Sequence, residues 1–344
     1  MPIDTVQQLL HLRTQKNRQI MHNIERLWAL GRQVHSVDDI LQGLHPWGQP
    51  AQLKFYNTLP RLLIILSVLL LLCSPIFTWP IWGFACVLLS GASVFLAYLI
   101  YEPRQPITEV IQFLEQRMMQ LRYGLIPQQM PAHFQQLMRS TLVIHQLKEK
   151  FPLFDQGNTS NDIIEFAGTE WQDPQQQIWP VLIFQYQSIS EVAFAHGKFQ
   201  HIQRKQIRRQ RWGAFVFQQP SLGLAVSDQG YDFAAPYLHR WSSADIISQR
   251  KLDIYGCDRL QLGKTLNPKM TLKLAEFYQQ HSGELVFHPQ EPILCYLGET
   301  DLFAVSHPKS IDTIQNISDL RGYLRTLKMP GYQQFQQSML NLLS

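Results

Sequence analysis

Between Leu62 and Tyr101 polar positions almost vanish. The runs 62–74 and 82–101 hold no Asp, Glu, Lys, Arg or His and are separated by Pro75-Ile-Phe-Thr-Trp79-Pro80. Each run approaches the roughly 20 apolar residues that cross a bilayer as helix. Backbone groups in lipid must be satisfied within their own segment, which favours helix over strand. The pattern predicts a two-helix transmembrane hairpin over 61–102, with Pro75 and Pro80 in the turn and Trp79, Trp82, Tyr98 and Tyr101 at interfacial depth. Lys54 and Arg61 precede it and Arg104 follows it, while the turn is uncharged, so both ends are expected on the cytoplasmic side. The competing arrangement is a re-entrant loop or a buried core hairpin, since the first run is short. A cleaved signal peptide fits poorly: the apolar run starts deep in the chain and no small-residue cleavage pattern follows a basic start.

On either side the period changes to that of amphipathic helices. In 1–60, Val6, Leu9, Leu10, Ile20, Ile24, Leu27 and Leu30 share one stripe, and Ser36-Val-Asp-Asp39 has the form of a capping box that starts a short helix ending near Gly43. In 103–150, Ile107, Val110, Ile111, Leu114, Met118 and Leu121 repeat the stripe, Pro127 and Pro131 interrupt it, and Phe134, Leu137, Met138, Leu142 and Ile144 resume it. The two sets are expected to zip together as a coiled-coil-like cytoplasmic stalk. Laying one stripe on the lipid surface is the alternative.

From Phe151 the pattern shortens to β-type runs. Strands are predicted over 163–167, 181–187, 191–195, 214–218, 223–227, 253–255, 284–288 and 293–297. One helix stands among them, capped by Asn267-Pro268, with Met270, Leu272, Leu274, Phe277 and Tyr278 as its apolar positions and His281-Ser-Gly283 as its stop. Two further helices are predicted in 307–344, over 311–327 and 333–343. The region 151–306 therefore reads as an α+β cytoplasmic domain, mostly antiparallel, with helices to one side.

Composition agrees with a membrane part joined to a larger polar part: 45% hydrophobic and 16% charged residues, a net charge of +4, and a mean hydropathy of −0.14. A mildly basic chain suits an anionic leaflet and does not argue for nucleic acid. Cys73, Cys86, Cys257 and Cys295 form no disulfide framework or metal-ligand spacing, which points to a reducing compartment.

A resemblance is carried by 162–303. Trp212-Gly-Ala-Phe-Val-Phe217 is similar to an aromatic-glycine-hydrophobic-phenylalanine strand. Lys251-Leu-Asp-Ile-Tyr255, followed by Leu266-Asn-Pro-Lys-Met270 and Leu274, resembles a tyrosine followed by Leu-Thr-Pro-x-Met and Leu, and Asp301-Leu-Phe303 closes the match. Together they resemble the bacterial domain-of-unknown-function family numbered 3137. Asn267 stands where that family usually has Thr, and Gln249-Arg-Lys251 departs from its phenylalanine-centred segment. The resemblance covers a little under half the chain. It implies a membrane hairpin followed by a domain, in the bacterial inner membrane, and no known activity.

Catalytic signatures are missing: no phosphate-binding glycine loop, dinucleotide fingerprint, His-Glu-x-x-His or Gly-x-Ser-x-Gly occurs. His196 with His201, or His281 with His288, lacks the spacing and third ligand of a metal site. Asp155, Asp162, Glu165 and Glu170 read as solvated loop acids or caps rather than an acid–base pair. No catalytic residue, cofactor or metal is therefore assigned. The feature that stands out is Arg204-Lys-Gln-Ile-Arg-Arg-Gln-Arg211. On a strand, Arg204, Gln206, Arg208 and Gln210 share one face and Lys205, Ile207, Arg209 and Arg211 the other. Arg204, Lys205, Arg208, Arg209 and Arg211 form a candidate contact for anionic lipid headgroups, each worth about 1 kcal/mol near a leaflet; the competing explanation is a solvated edge guarded against pairing. Nucleic acid ranks behind both, because stacking aromatics are missing apart from Trp212.

These features point first to a non-enzymatic inner-membrane protein whose cytoplasmic domain binds a protein, lipid or peptide partner. A membrane-tethered hydrolase is the second reading, and an oligomeric envelope or pore component the third. Small residues Gly83, Ala85, Ser90, Gly91, Ala92, Ser93 and Ala97 allow close helix approach within the hairpin or between protomers. The absence of ionisable residues from both apolar runs disfavours a transporter.

Overall fold

The computed structural model describes residues 13–76, 80–129, 147–148, 150–196, 201–241, 252–307 and 309–344. The chain forms two units, Met1–Leu121 with His307–Leu327, and Arg122–Ser306 with Lys328–Ser344. The fold is α+β with a large antiparallel sheet.

The first unit is helical. Helix α1 (Gln15–Gln33) begins at Thr14, whose side chain accepts from the N–H of Asn17. Its inward positions Ile20, Ile24 and Leu27 are buried. Helix α2 (Val37–Gly43) starts with the capping box that the sequence suggests: Asp39 N–H donates to Ser36 Oγ at 3.1 Å and Ser36 N–H to Asp39 Oδ2 at 2.9 Å, so the shorter Asp closes the box as Glu would.

The chain then returns along α1 as an extended segment held by buried asparagines. Asn23 donates to the carbonyl of Pro50 at 2.8 Å and accepts from the Trp47 indole N–H at 3.1 Å. Asn17 accepts from the N–H of Tyr56 at 2.9 Å and donates to its carbonyl at 3.3 Å. Helix α3 (Thr58–Cys73), a short 3-10 turn (Ser74–Ile76) and helix α4 (Pro80–Ile100) follow. The last two helices run antiparallel: Asn57 exchanges hydrogen bonds with the backbone of Glu102, and Ser67 Oγ lies 2.8 Å from Ser90 Oγ. Among the described residues α4 alone has the length and apolarity of a bilayer span. Helix α3 has 16 residues, roughly 24 Å at 1.5 Å per residue.

Helix α5 (Gln105–Tyr123) buries Ile107, Val110, Ile111, Leu114 and Met118, the stripe read from its period. Arg13 meets Glu102 at one end of α1, Trp28 stacks on Phe113 at 4.4 Å between ring centres, and Arg117 donates to the carbonyl of Val34 at the other end. Helices α1 and α5 therefore run in the same direction, because the 47–57 segment has already carried the chain back to the start of α1. The stripe positions in 1–12 and 134–144 lie outside the described residues.

The second unit is built on one nine-stranded sheet: β1 (Ile126–Pro127), β2 (Ser160–Gln172), β3 (Ile178–His196), β4 (His201–Phe217), β5 (Leu224–Ser227), β6 (His239–Trp241), β7 (Asp253–Gly256), β8 (Gly283–Phe287) and β9 (Ile293–Gly298). The order across it is β1-β2-β3-β4-β9-β8-β5-β7-β6, every neighbour antiparallel. The strands predicted over 181–187 and 191–195 are one strand, since Ser188-Ile-Ser190 carries no glycine, proline, asparagine or aspartate to turn the chain. The basic run likewise continues without a break into the strand predicted at Ala214.

One face of the sheet, with Phe184, Tyr186, Phe215, Phe217, Val286 and Cys295, packs under Phe151, Phe154, Phe233 and Tyr237 from irregular segments. Helices α7 (Pro268–Gln280) and α9 (Pro330–Leu343) bring Phe277 and Phe335 against Tyr296, and the indole of Trp171 donates to Tyr332 Oη at 2.9 Å. A short helix, α6 (Arg259–Thr265), lies between β7 and α7. Burial on both faces explains why β5 and β9 are largely apolar without alternation, and why β8 is fully buried although it carries Glu284.

The two C-terminal helices separate, which revises 307–344 as one region. Helix α8 (Ile317–Thr326) joins the helical unit, with Ile317 N–H donating to the carbonyl of Ala51 and Tyr323 Oη to Glu115. Helix α9 belongs to the sheet unit. Each follows its apolar face, Leu320 and Leu324 in α8 and Phe335 and Met339 in α9, rather than its neighbour in sequence.

Candidate interaction site: a basic β-ribbon

Strand β4 changes partners along its length. From Trp212 to Phe217 it lies between β3 and β9, Trp212 opposite Gly298 and Phe217 opposite Ile293. From His201 to Arg211 its strand partner among the described residues is β3 alone. Strand β2 leaves β3 at Ser160 opposite Ile189, so beyond that point β3 and β4 form a two-stranded ribbon whose last pair is His196 and His201. Asn158 finishes the pairing of β3 with a side chain. Its amide donates to the carbonyl of Glu191 at 3.1 Å and accepts from the Glu191 N–H at 2.8 Å.

The two-residue period divides the basic run as its alternation requires. Arg204, Gln206, Arg208 and Gln210 stand on one face, Lys205, Ile207 and Arg209 on the other, and all seven are exposed. Arg204 Nη1 lies 3.7 Å from Glu191 Oε1. Arg209 Nη2 lies 3.0 Å from Glu299 Oε1, and this contact holds the Glu299 carboxyl below the usual carboxylate range. Among the described residues no carboxylate pairs with Lys205 or Arg208. Glu191 is the single acid within 188–196 and 201–211, so the ribbon is strongly cationic.

Arg211 does not belong to this surface. It is 1% exposed, its guanidinium donates to the carboxylate of Glu284 and, at 2.8 Å, to the carbonyl of Leu297, and no headgroup reaches it. The sequence groups it with its neighbours because charge spacing carries no information on where the sheet widens. At Trp212 strand β9 joins β4, and the residue just before it is already covered.

The histidines and acids singled out by composition do not converge. His281 is buried among Phe277, Tyr296 and Phe335, while His288 Nδ1 accepts from the N–H of Glu291 at 2.8 Å as a loop cap. Asp162 accepts from Ser160 Oγ, and Asp155 pairs with Lys148 at 2.9 Å. Burial, with the charge of Asp301 nearby, raises the Glu165 carboxyl above its usual value. Among the described residues no group of three or more His, Cys, Asp or Glu is placed to hold a metal. A cleft of about 150 Å³ between α7 and α9 is lined by Lys273, Glu276, Gln280, Ser338 and Asn341, with Gln280 accepting from Ser338 Oγ at 2.8 Å.

Sequence reasoning missed Asn158 and Glu299, which define how the ribbon starts and how Arg209 is held. Both are single polar residues in loops, where no periodicity marks them. No protein-family model, curated protein or solved structure matches the chain.

Proposed function

We propose that this chain is an integral membrane protein of the bacterial inner membrane. In this reading α3 and α4 cross the bilayer as a hairpin, both termini are cytoplasmic, and the sheet unit is a non-enzymatic binding module held near the membrane. The observation that carries the proposal is the outward face of the helix pair. Leu62, Leu72, Ile81, Trp82 and Phe84 are each more than 60% exposed, and Ile65, Leu69, Leu88, Leu89 and Phe95 more than half. Contiguous apolar area on this scale is not sustained in water. Between the helices, by contrast, Ser67 and Ser90 satisfy one another, which suits a low-dielectric surrounding. Helix α3 is short for a crossing; the 3-10 turn at Ser74–Ile76 and local bilayer thinning supply the remainder. This is also the layout that the resemblance to the domain-of-unknown-function family numbered 3137 implies.

Alkaline carbonate extraction of native membranes, with thiol labelling of single cysteines placed at positions 1 and 344 in a background without the four native ones, tests this. The expected result is retention in the pellet with both sites reactive only after the inner membrane is opened. Release into the supernatant, or termini on opposite sides, overturns it.

A further inference from the structure

The basic run from Arg204 to Arg209 lies on a strand whose backbone, among the described residues, pairs with β3 on one side only. An edge strand offers a row of N–H and C=O groups to any chain laid beside it. Lys and Arg on such an edge repel a second copy of the same strand. They attract a strand of opposite charge, since opposed cross-strand pairs contribute roughly 0.2–1 kcal/mol each. The ribbon already shows the pairing it favours. Strand β9 fills the lane beside β4 as far as Gly298 opposite Trp212, and the next residue, Glu299, leaves the lane with its carboxylate 3.0 Å from Arg209. An acid beside a strand that pairs with β4 is therefore the local solution this chain has adopted at the point where its own strand stops.

We propose that the edge of β4 from Arg204 to Arg209 takes up an extended acidic segment of another protein as an added strand, in the lane that β9 vacates. The inference rests on the sheet unit being a binding module and names its partner by chemistry. Acidic side chains on one face of the added strand meet Arg204 and Arg208, and those on the other meet Lys205 and Arg209. Ile207, 45% exposed between Lys205 and Arg209, accepts an apolar residue on that second face. Backbone pairing supplies the affinity and the alternating charges set the register. A bare polyanion satisfies the charges and leaves the edge unpaired.

The test uses the full chain in detergent micelles and a fluorescent peptide of about ten residues, long enough for a strand, with Glu on both faces and a single Val placed to meet Ile207. A second peptide of the same sequence carries backbone N-methyl groups on alternate residues, which removes pairing N–H groups and keeps every charge. Fluorescence anisotropy is expected to show binding of the first peptide, with affinity reduced about tenfold or more by N-methylation and likewise by Arg204→Glu with Arg208→Glu. Added peptide is also expected to slow amide exchange in β4. Equal affinity for the two peptides overturns the proposal, as does binding of phosphatidylserine vesicles or a single-stranded oligonucleotide in place of the peptide, or no binding at all. Should the double variant not fold, the N-methyl comparison on the unmodified protein decides. Carbonate extraction separates this outcome from that of the anchoring proposal: a chain that stays in the membrane and ignores the peptide loses only the docking strand.

Discussion

Arg211 on β4 reaches over β9 to Glu284 on β8. The two side chains are 1% and 2% exposed, and the guanidinium also donates to the carbonyl of Leu297 on the strand between. The pair sits where the two-stranded ribbon becomes the wide sheet, so it ties three strands together at the root of the cationic edge. Burial raises the Glu284 carboxyl above its ordinary value and Arg211 opposes that rise.

Removing one partner leaves a buried charge without compensation. Arg211→Met or Glu284→Met is expected to cost about 3–5 kcal/mol, whereas the two substitutions combined cost less than the two singles together. Urea unfolding followed by tryptophan fluorescence reads all the variants. Simple additivity of the two losses would show that the residues do not act as a pair.

Acid lability is expected from His281. Its imidazole lies among Phe277, Tyr296 and Phe335, and burial holds its pKa below 6.5. The unfolded chain binds the proton first, so this contribution is complete above about pH 6.5 and is lost as pH falls through that value towards the folded pKa. His288 is lowered by burial too and adds in the same direction. Melting temperature plotted against pH between about 5 and 8 is expected to flatten in His281→Leu. A variant whose acid slope matches that of the unmodified protein would rule out His281 as its source.

Asn17 replaces a strand partner for Tyr56. Asn17→Ala leaves the Tyr56 N–H and carbonyl without their side-chain partner and is expected to cost about 1–3 kcal/mol. Asn17→Asp keeps the acceptor and sets a carboxylate against the Tyr56 carbonyl, so it is not expected to restore stability. Circular dichroism melts in detergent check both; a wild-type melt for Asn17→Ala sinks the claim.

Ser67 and Ser90 lock α3 to α4. A double-mutant cycle with Ser67→Ala and Ser90→Ala, read by unfolding in mixed detergent, should return a coupling of about 0.6 kcal/mol and at most near 1.7. Ser90→Leu forces a branched chain into a contact where both serines are 2% exposed, and is expected to splay the helices. Cross-linking between cysteines placed near the two helix ends would then fall; unchanged cross-linking would mean that the contact is loose.

A cysteine of the sheet unit is expected to be inert. Burial pushes the Cys257 thiol up to about 11, so it should react with maleimide far more slowly at neutral pH than an exposed cysteine introduced at Leu260, which is 76% exposed. Equal labelling rates would place Cys257 in a more polar setting than the fold gives it.

Elements whose signal lies in a few consecutive residues were readable without coordinates. Asn267 accepts from the N–H of Met270 at 2.8 Å and Pro268 opens α7, as the local chemistry requires. The buried stripe of α5 follows from its spacing because a single helix repeats its own environment every turn. The alternation of Arg204 to Arg211 was equally readable, and the exposure of Arg204, Lys205, Arg208 and Arg209 follows from their charge.

What the chain's order of residues determined by itself was local: where helices cap, which faces are apolar, that one hairpin is devoid of charge, and that one strand is densely basic. Tertiary structure alone decided which of those faces meet. It set α1 parallel to α5 by returning the chain through 47–57, sent α8 and α9 to different units, and buried Arg211 while leaving Arg208 exposed. The physical reason is that period and capping depend on neighbours within a few residues, whereas burial depends on surfaces brought together from distant parts of the chain. Arg211 shares its face of β4 with exposed Arg209 and differs from it in having β9 and β8 beside it.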